Sequence, residues 1–183
     1  MDAIKKIPTA LTEVFILEPR VFGDERGFFL ESYNERVFAG VGIGERFVQD
    51  NHSRSAQNVL RGLHYQVKHT QGKLVRVVEG EILDVAVDLR RSSATFGKSE
   101  SVHLSGENQR MLWIPQGFAH GFLVLSPSAH VLYKATDYYA PEYERTLAWN
   151  DPELKINWEL KGEPLVSAKD QRGVLLRNAE CFE

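Results

Sequence analysis

The sequence predicts an all-β protein, built as a barrel or a sandwich with little helix. Hydrophobic and polar side chains alternate with a period of two along short segments that are rich in Val, Ile, Phe and Tyr. Gly, Pro, Asn and Ser interrupt these segments at intervals of roughly eight to twelve residues, the spacing typical of antiparallel strands in barrels and sandwiches. The predicted strands are residues 12–18, 27–33, 46–52, 58–66, 73–78, 81–89, 98–104, 111–114, 120–125 and 129–136.

The rest of the chain predicts few other elements. Asn34 is placed to cap a short helix through Phe38, which a series of glycines then ends. The tail from Asn150 onwards is interrupted by prolines and a glycine, and we expect it to wrap around the barrel. We see no linker, repeat or low-complexity tract in the sequence and therefore predict one domain over residues 1–183.

The composition excludes several classes of function. The net charge is -3, so no basic surface for nucleic acid is indicated. The single cysteine, Cys181, excludes a disulfide framework within one chain and favours a reducing compartment. No apolar run is long enough for a signal peptide or a membrane span, so we expect a soluble, cytoplasmic protein with no membrane partner.

The predicted strand over residues 58–66 places polar side chains in an apolar frame. Strict alternation puts His64 and Gln66 on one face and Arg61 on the other. A glycine inside a strand often marks a bulge, and a bulge at Gly62 would bring Arg61 and His64 to the same face. The alternative is that His64 is a hydrogen-bonded structural residue, which is the more common state of a single histidine in a strand.

The next predicted hairpin carries a lysine and two carboxylates. Lys73 begins its first strand, and Glu79-Gly80 is predicted to form the turn. Asp84 and Asp88 share a face of the following strand. In one interpretation that face lines the barrel interior. In the other it is exposed to solvent, as one face of an antiparallel sheet commonly is.

Two later segments add a histidine and a tyrosine. Pro115-Gln116-Gly117-Phe118-Ala119-His120 has the pattern Pro-x-Gly-x-x-His between two apolar strands, which resembles the second motif of cupin barrels. In that motif the Pro and Gly form a tight connection, and the His points inward. Further along, Tyr133 lies on the strand face opposite Lys134. Strand tyrosines most often pack in the core or at the rim, so this segment alone assigns Tyr133 no role.

The candidate ligands predict that no metal ion binds. A metal-binding cupin has His-x-His and a later Glu in its first motif, whereas this chain has His64-Tyr65-Gln66 followed by Lys73. A lysine ammonium has no lone pair to donate at neutral pH. Together with His120 these groups make a poor site for a divalent ion. The same residue types serve well as general bases, general acids and electrophiles.

The chain resembles the dTDP-4-dehydrorhamnose 3,5-epimerase family, also called dTDP-4-keto-6-deoxyglucose 3,5-epimerase, over essentially its whole length. The resemblance rests on many segments in one order: residues 22–31, 47–53, 60–66, 71–77, 84–90, 114–122, 133–134, 149–152 and 167–170. It implies a cupin-type double-stranded β-helix (jelly-roll) barrel with short peripheral helices. It also implies an isomerase that needs no cofactor, a homodimer with shared active sites, and a dTDP-4-keto-6-deoxy hexose as substrate. The product would supply a rhamnose donor for cell-surface polysaccharide.

The resemblance assigns the catalytic residues. His64 is the general base and Asp170 orients it. Tyr133 is the acid on the opposite face of the sugar, and Lys73 stabilises the enolate oxygen. Substrate binding falls to Arg26, Glu31, Gln49, Asn51, Arg61, His120, Glu144 and Lys169. These types suit proton abstraction next to a ketone, because His titrates near neutral pH and cationic donors stabilise the developing oxyanion. Asp84 is an alternative partner for His64.

Other functions remain open from the sequence. A relative on the same barrel could invert only one carbon or act as a ketoisomerase. A metal-dependent cupin oxygenase is a second alternative, which the ligand set disfavours. A non-catalytic sugar-binding barrel is a third, and it would have no need for a histidine opposed by a tyrosine.

Overall fold

Two antiparallel sheets that face each other make up most of the described chain, residues 4–183 of a computed structural model. The strands are β1 (Ile4–Pro8), β2 (Phe15–Pro19), β3 (Val21–Asp24), β4 (Gly27–Leu30), β5 (Gln49–Ala56), β6 (Val59–Gln66), β7 (Lys73–Glu79), β8 (Glu81–Asp88), β9 (Ser99–Ser105), β10 (Met111–Ile114), β11 (Phe118–Val124), β12 (Ser128–Ala135), β13 (Glu144–Thr146) and β14 (Leu165–Val166). Residues 1–3, which the predicted domain includes, lie outside the described residues.

The strand order is that of a jelly roll. The first sheet has the order β1-β2-β10-β7-β12-β5, and the second has the order β13-β6-β11-β8-β9. The chain crosses from one sheet to the other repeatedly, so that β5, β7, β10 and β12 lie opposite β6, β8, β9 and β11. The short strand β14 adds to β6 in the parallel direction. This is the cupin-type, all-β architecture that the sequence predicts.

An apolar core lies between the two sheets. It combines Val75 and Val131 of the first sheet with Ile82 and Ala86 of the second. Asp84 alternates with these last two residues, so its carboxylate points into the same interior, where it is 0% exposed. The interpretation that this face of β8 is exposed to solvent is therefore wrong, because the first sheet covers it.

The peripheral elements cover the outer faces of the sheets. The helix α1 (Glu35–Gly40) begins at the predicted cap, where Oδ1 of Asn34 accepts the Arg36 N–H at 3.1 Å. It packs Phe38 against the outside of the first sheet. The tail covers the outside of the second sheet with Leu154, Trp158 and other side chains, which confirms the prediction that it wraps around the barrel. Its short 3-10 turns include Asp170–Arg172.

The hairpin β3–β4 differs from the prediction. The predicted strand 27–33 ends at Leu30, and it pairs only with β3 in a separate two-stranded sheet. Four strands were not predicted, namely β1, β3, β13 and β14, because segments of two to five residues show too little alternation. The hairpin exposes large apolar side chains, with Phe28 61% and Phe29 70% exposed. Isolated two-stranded hairpins are marginally stable in water.

Candidate active site

A bulge in β6 turns two polar side chains towards the interior. On the neighbouring strand β11, His120 pairs with His64 and Phe122 pairs with Arg61. The two pairs are three residues apart on β6 but two residues apart on β11, so β6 contains one extra residue here. Gly62 lies at this point with a φ of +112°, and a Cβ there would come within 2.6 Å of the Gly121 backbone. Only glycine fits this close approach. The bulge predicted from the sequence is confirmed, and Arg61 reaches an inner-face hydroxyl, that of Ser55, at 3.0 Å.

His64 forms a short pair with a buried carboxylate. Its Nε2 lies 2.5 Å from Oδ1 of Asp170, which is 3% exposed. The Gly62 N–H donates to the other oxygen, Oδ2, at 3.3 Å. Burial alone would raise the pKa of Asp170, but the hydrogen bonds from His64 and Gly62 outweigh it and lower the pKa below its usual value. The ionised carboxylate can only accept, so Nε2 carries a proton and Nδ1 of His64 presents the lone pair.

A second histidine–aspartate pair lies beside the first. Nε2 of His120 is 3.0 Å and 2.9 Å from the two carboxylate oxygens of Asp84, and both residues are buried. Asp84 is thereby committed to His120, and Asp170 is the partner of His64. The alternative in which Asp84 orients His64 is wrong, since β8 and β6 are separated by β11 in the sheet.

Lys73 brings a titratable cation to the same interior. Burial lowers its pKa to about 8, although the negative charges of Glu144 and Asp84 act in the opposite direction. Among residues 4–183, no side chain forms a hydrogen bond or ion pair with its ammonium. Lys73 therefore offers a free donor whose charge changes slightly above neutral pH.

Tyr133 faces the interior from the opposite sheet. It lies on β12 and packs against the apolar core, whereas His64 lies on β6 of the second sheet. Burial raises the pKa of Tyr133, the charge of Glu144 raises it further, and Arg61 opposes both. The phenol is therefore protonated at neutral pH. Glu144 interacts electrostatically with both Tyr133 and His64, so the phenol and the imidazole lie near one carboxylate on facing sheets.

Polar residues surround the opening above these groups. Glu144 accepts hydrogen bonds from Nζ of Lys169 and from Oη of Tyr139, both at 2.9 Å. Burial would raise the pKa of Glu144, but these two bonds hold it below its usual value. Gln49 donates to Oδ1 of Asn51 at 3.0 Å. The other amide atom of Asn51, Nδ2, is buried without a partner among the described residues and is free to bind a ligand.

The structure leaves two predicted site residues apart from this cluster. Arg26 lies in the turn of the β3–β4 hairpin, where its side chain is 84% exposed and pairs with Asp24. Glu31 accepts a hydrogen bond from the cap residue Asn34 at 3.1 Å. Neither forms a hydrogen bond or ion pair with another predicted site residue. Conversely, Tyr139 was not predicted as a site residue, and its signal in the sequence was an adjacent pair of tyrosines before Pro141.

Three side chains that could serve as metal ligands are engaged with protein partners. The Nε2 atoms of His64 and His120 face carboxylates, and the amide of Gln66 binds backbone groups. Within residues 4–183, no three His, Cys, Asp or Glu side chains converge as metal ligands would. In the same part of the chain, no helix has the length and apolar character needed to cross a membrane.

A cupin-type barrel with a histidine–aspartate pair on one wall and a protonated tyrosine on the other defines an enzyme of general acid–base chemistry. A family model described as dTDP-4-dehydrorhamnose 3,5-epimerase matches residues 8–178. The chain belongs to this family of isomerases, which confirms the resemblance drawn from the sequence.

Similar proteins cover the chain almost end to end. The dTDP-4-dehydrorhamnose 3,5-epimerase of Pseudomonas aeruginosa is 59% identical over 180 residues, which are 98% of this chain and 99% of that protein. The dTDP-6-deoxy-D-glucose-3,5-epimerase of Legionella pneumophila, solved in complex with dTDP-4-keto-L-rhamnose, is 52% identical with a TM-score of 0.95, covering 97% of this chain and 95% of that chain. A 3'-monoepimerase from Streptomyces bikiniensis, in complex with dTDP-quinovose, is 32% identical with a TM-score of 0.88. This match covers 93% of this chain and 87% of that chain.

Proposed function

We propose that this chain epimerises carbons 3 and 5 of dTDP-4-dehydro-6-deoxyglucose to give dTDP-4-dehydro-L-rhamnose. The observation that carries the proposal is the placement of His64 and Tyr133 on facing walls of one interior. Inverting a carbon next to a ketone requires a base on one face of the sugar and an acid on the other. The family membership and the keto-sugar complex of the Legionella relative support the choice of substrate.

His64 is the proposed general base. Hydrogens α to a ketone are weakly acidic, since their removal leaves an enolate. Nδ1 of His64 takes the proton, and the imidazolium that forms is stabilised by Asp170 at 2.5 Å. The lowered pKa of Asp170 keeps this carboxylate ionised throughout the reaction.

Lys73 and Tyr133 complete the proposed reaction. The free ammonium of Lys73 donates to the carbon-4 oxygen as negative charge develops there, and a preorganised donor in a buried site is worth more than one in water. Tyr133 then returns a proton to the opposite face, and its raised pKa means that the proton is present at neutral pH. His120, Arg61, Asn51 and Gln49 contact the substrate together with Glu144 and Lys169. Arginine suits the diphosphate because its planar fork matches two phosphate oxygens.

A homodimer is part of the proposal. Arg26 and Glu31 do not reach the interior of their own chain, whereas the exposed Phe28 and Phe29 give the hairpin an apolar surface that needs covering. Packing the hairpin onto a second copy would cover these rings and carry Arg26 into the partner's site. A two-fold dimer makes the same exchange twice, so both sites are completed.

The remaining elements of the proposal concern cofactor and location. The reaction as written moves only protons and needs no cofactor. With one cysteine, Cys181, the chain forms no internal disulfide, which supports a cytoplasmic location. The product would serve the synthesis of a rhamnose donor for cell-surface polysaccharide.

The test is proton NMR of a dTDP-4-keto-6-deoxyglucose incubation in deuterated water. We expect deuterium at both carbon 3 and carbon 5, together with the signals of the epimerised product. No exchange at either carbon by a folded protein would overturn the proposal and favour a binding barrel.

A second candidate function is epimerisation at one carbon. The 3'-monoepimerase from Streptomyces bikiniensis has the same fold with a TM-score of 0.88, so the barrel also supports single inversion. The same NMR experiment separates the two, because a monoepimerase would incorporate deuterium at one carbon into a product inverted there alone.

A further inference from the structure

The buried amide of Gln66 joins two loops at the opening of the barrel. Gln66 is 5% exposed at the end of β6. Its Nε2 donates to the carbonyl oxygen of His69 at 2.6 Å and to that of Tyr138 at 3.2 Å. Its Oε1 accepts the N–H of Ala140 at 2.9 Å. Gln66 thus links the loop after β6 to residues 136–140, which we call the opening loop. Gln71 and Gly72 hold the start of the opening loop, at Thr136 and Asp137, whereas the bonds of Gln66 hold its end.

The opening loop carries contacts to proposed substrate-binding residues. The N–H of Tyr139 donates to Oε1 of Gln49 at 2.9 Å, and its Oη donates to Oε2 of Glu144 at 2.9 Å. The His64–Asp170 pair makes no hydrogen bond to this loop among the described residues. Displacing the loop would therefore disturb binding groups and leave the proposed base in place.

The chemistry of these three bonds requires an amide. Two backbone carbonyls need donors, and one backbone N–H needs an acceptor, all around one buried side chain. Glutamine supplies two donors and an acceptor, whereas a glutamate carboxylate has no donor and a neutral histidine has only one. Unpaired buried groups are costly, so neither substitute satisfies this position. Gln66 occupies the place of the second histidine in metal-binding cupins, and its atoms serve the loop instead.

We propose that Gln66 is a positioning residue, which holds the opening loop so that Tyr139, Glu144 and Gln49 are arranged for the substrate. This inference rests on the proposed function for its kinetic consequences and on the hydrogen bonds of the chain for its structural ones.

Two substitutions at Gln66 and one matched control test the inference. Gln66→Met keeps the length of the side chain and removes all three bonds. Gln66→Glu keeps the shape and turns a carboxylate towards two carbonyls. Gln57→Glu is the control, because Gln57 is exposed on the β5–β6 turn and its side-chain amide donates to the Leu125 carbonyl, at 2.9 Å.

The first measurement is backbone hydrogen–deuterium exchange in the absence of substrate. We expect peptides that contain the opening loop to exchange faster in both Gln66 variants. In Gln66→Met the Ala140 N–H loses its acceptor, and in Gln66→Glu the carboxylate repels the two carbonyl oxygens that Gln66 binds. The strand peptide containing His64 should exchange as in the unmodified protein, and Gln57→Glu should change neither. Unchanged exchange of the opening loop in both variants would overturn the inference.

The second measurement separates KM from kcat in the epimerisation assay. Loss of positioning should raise KM by roughly tenfold to a hundredfold, equivalent to one or two net hydrogen bonds, with kcat little changed. A fall in kcat at constant KM would mean that Gln66 supports the strand that bears His64, and it would overturn the inference, as would loop exchange that rises without any change in KM. A protein that catalyses no epimerisation at all contradicts the proposed function, whereas the exchange measurement still tests the loop by itself.

Discussion

Asp170→Asn tests whether the buried carboxylate controls the protonation of His64. The two carboxylate oxygens have different partners, Nε2 of His64 at 2.5 Å and the Gly62 N–H at 3.3 Å. An amide has one oxygen and one nitrogen, so it cannot accept from both. In the orientation that keeps the Gly62 bond, the new N–H₂ group faces Nε2. The imidazole proton must then move to Nδ1, the nitrogen that acts as the base.

The expected loss combines two effects. The imidazolium that forms when His64 takes the proton loses its hydrogen bond to a charged carboxylate, and such a bond is worth about 1.5–3 kcal/mol. In the changed tautomer Nδ1 carries the proton, so most molecules have no lone pair on Nδ1 to accept a proton from the sugar. Together we expect the rate of hydrogen exchange into the sugar to fall by roughly a hundredfold to ten-thousandfold.

The assay is proton NMR in deuterated water at saturating substrate, with folding checked by thermal unfolding. Asp151→Asn is the matched control. Asp151 is also buried, at 4% exposure, and accepts the Leu176 N–H at 2.6 Å and the Glu153 N–H at 2.8 Å. That variant should lose stability by about 1–3 kcal/mol and keep its turnover per folded molecule. Near-normal exchange in a folded Asp170→Asn protein would refute the assignment.

Further variants and conditions test the other groups of the site. Tyr133→Phe keeps the ring and removes the hydroxyl, so we expect deuterium exchange to persist better than net epimerisation in NMR; equal loss of both in a folded protein would instead mean that Tyr133 positions the substrate. Because the pKa of Lys73 is lowered to about 8, kcat/KM should fall as the pH rises through that value. Between pH 8 and 10.5 the folded chain then binds fewer protons than the unfolded chain. The free energy of unfolding, measured relative to that of Lys73→Met, should therefore increase as the pH rises through this window. A difference in unfolding free energy that does not change with pH would contradict the lowered pKa. Chelator treatment should leave turnover unchanged, and activity that is abolished by chelator and restored by one metal would disprove metal independence. Mixing inactive Arg26→Ala and His64→Ala under conditions of subunit exchange should restore activity, since one site of the mixed dimer keeps both residues; no recovery despite demonstrated exchange would show that each chain builds its own site.

Local patterns in the sequence were sufficient for most of the strands and for one distortion within them. The alternation along residues 81–89 predicted which side chains share a face of β8, because a strand turns successive residues to opposite sides. The glycine between Arg61 and His64 predicted the bulge, since close backbone approach leaves no room for a Cβ. Both signals lie within a few residues of the feature that they predict.

The sequence by itself thus determined the all-β class, the residue types of the site and, through many matching segments, the family. Only the tertiary structure decided that Asp170, more than a hundred positions from His64, is its partner while Asp84 pairs with His120. Either aspartate satisfied the chemistry, and periodicity reports the face of a side chain but not which distant segment packs against it. The choice depends on the order of the strands, which places β11 between β6 and β8, and on the path of the tail, which brings Asp170 back to the bulge at Gly62.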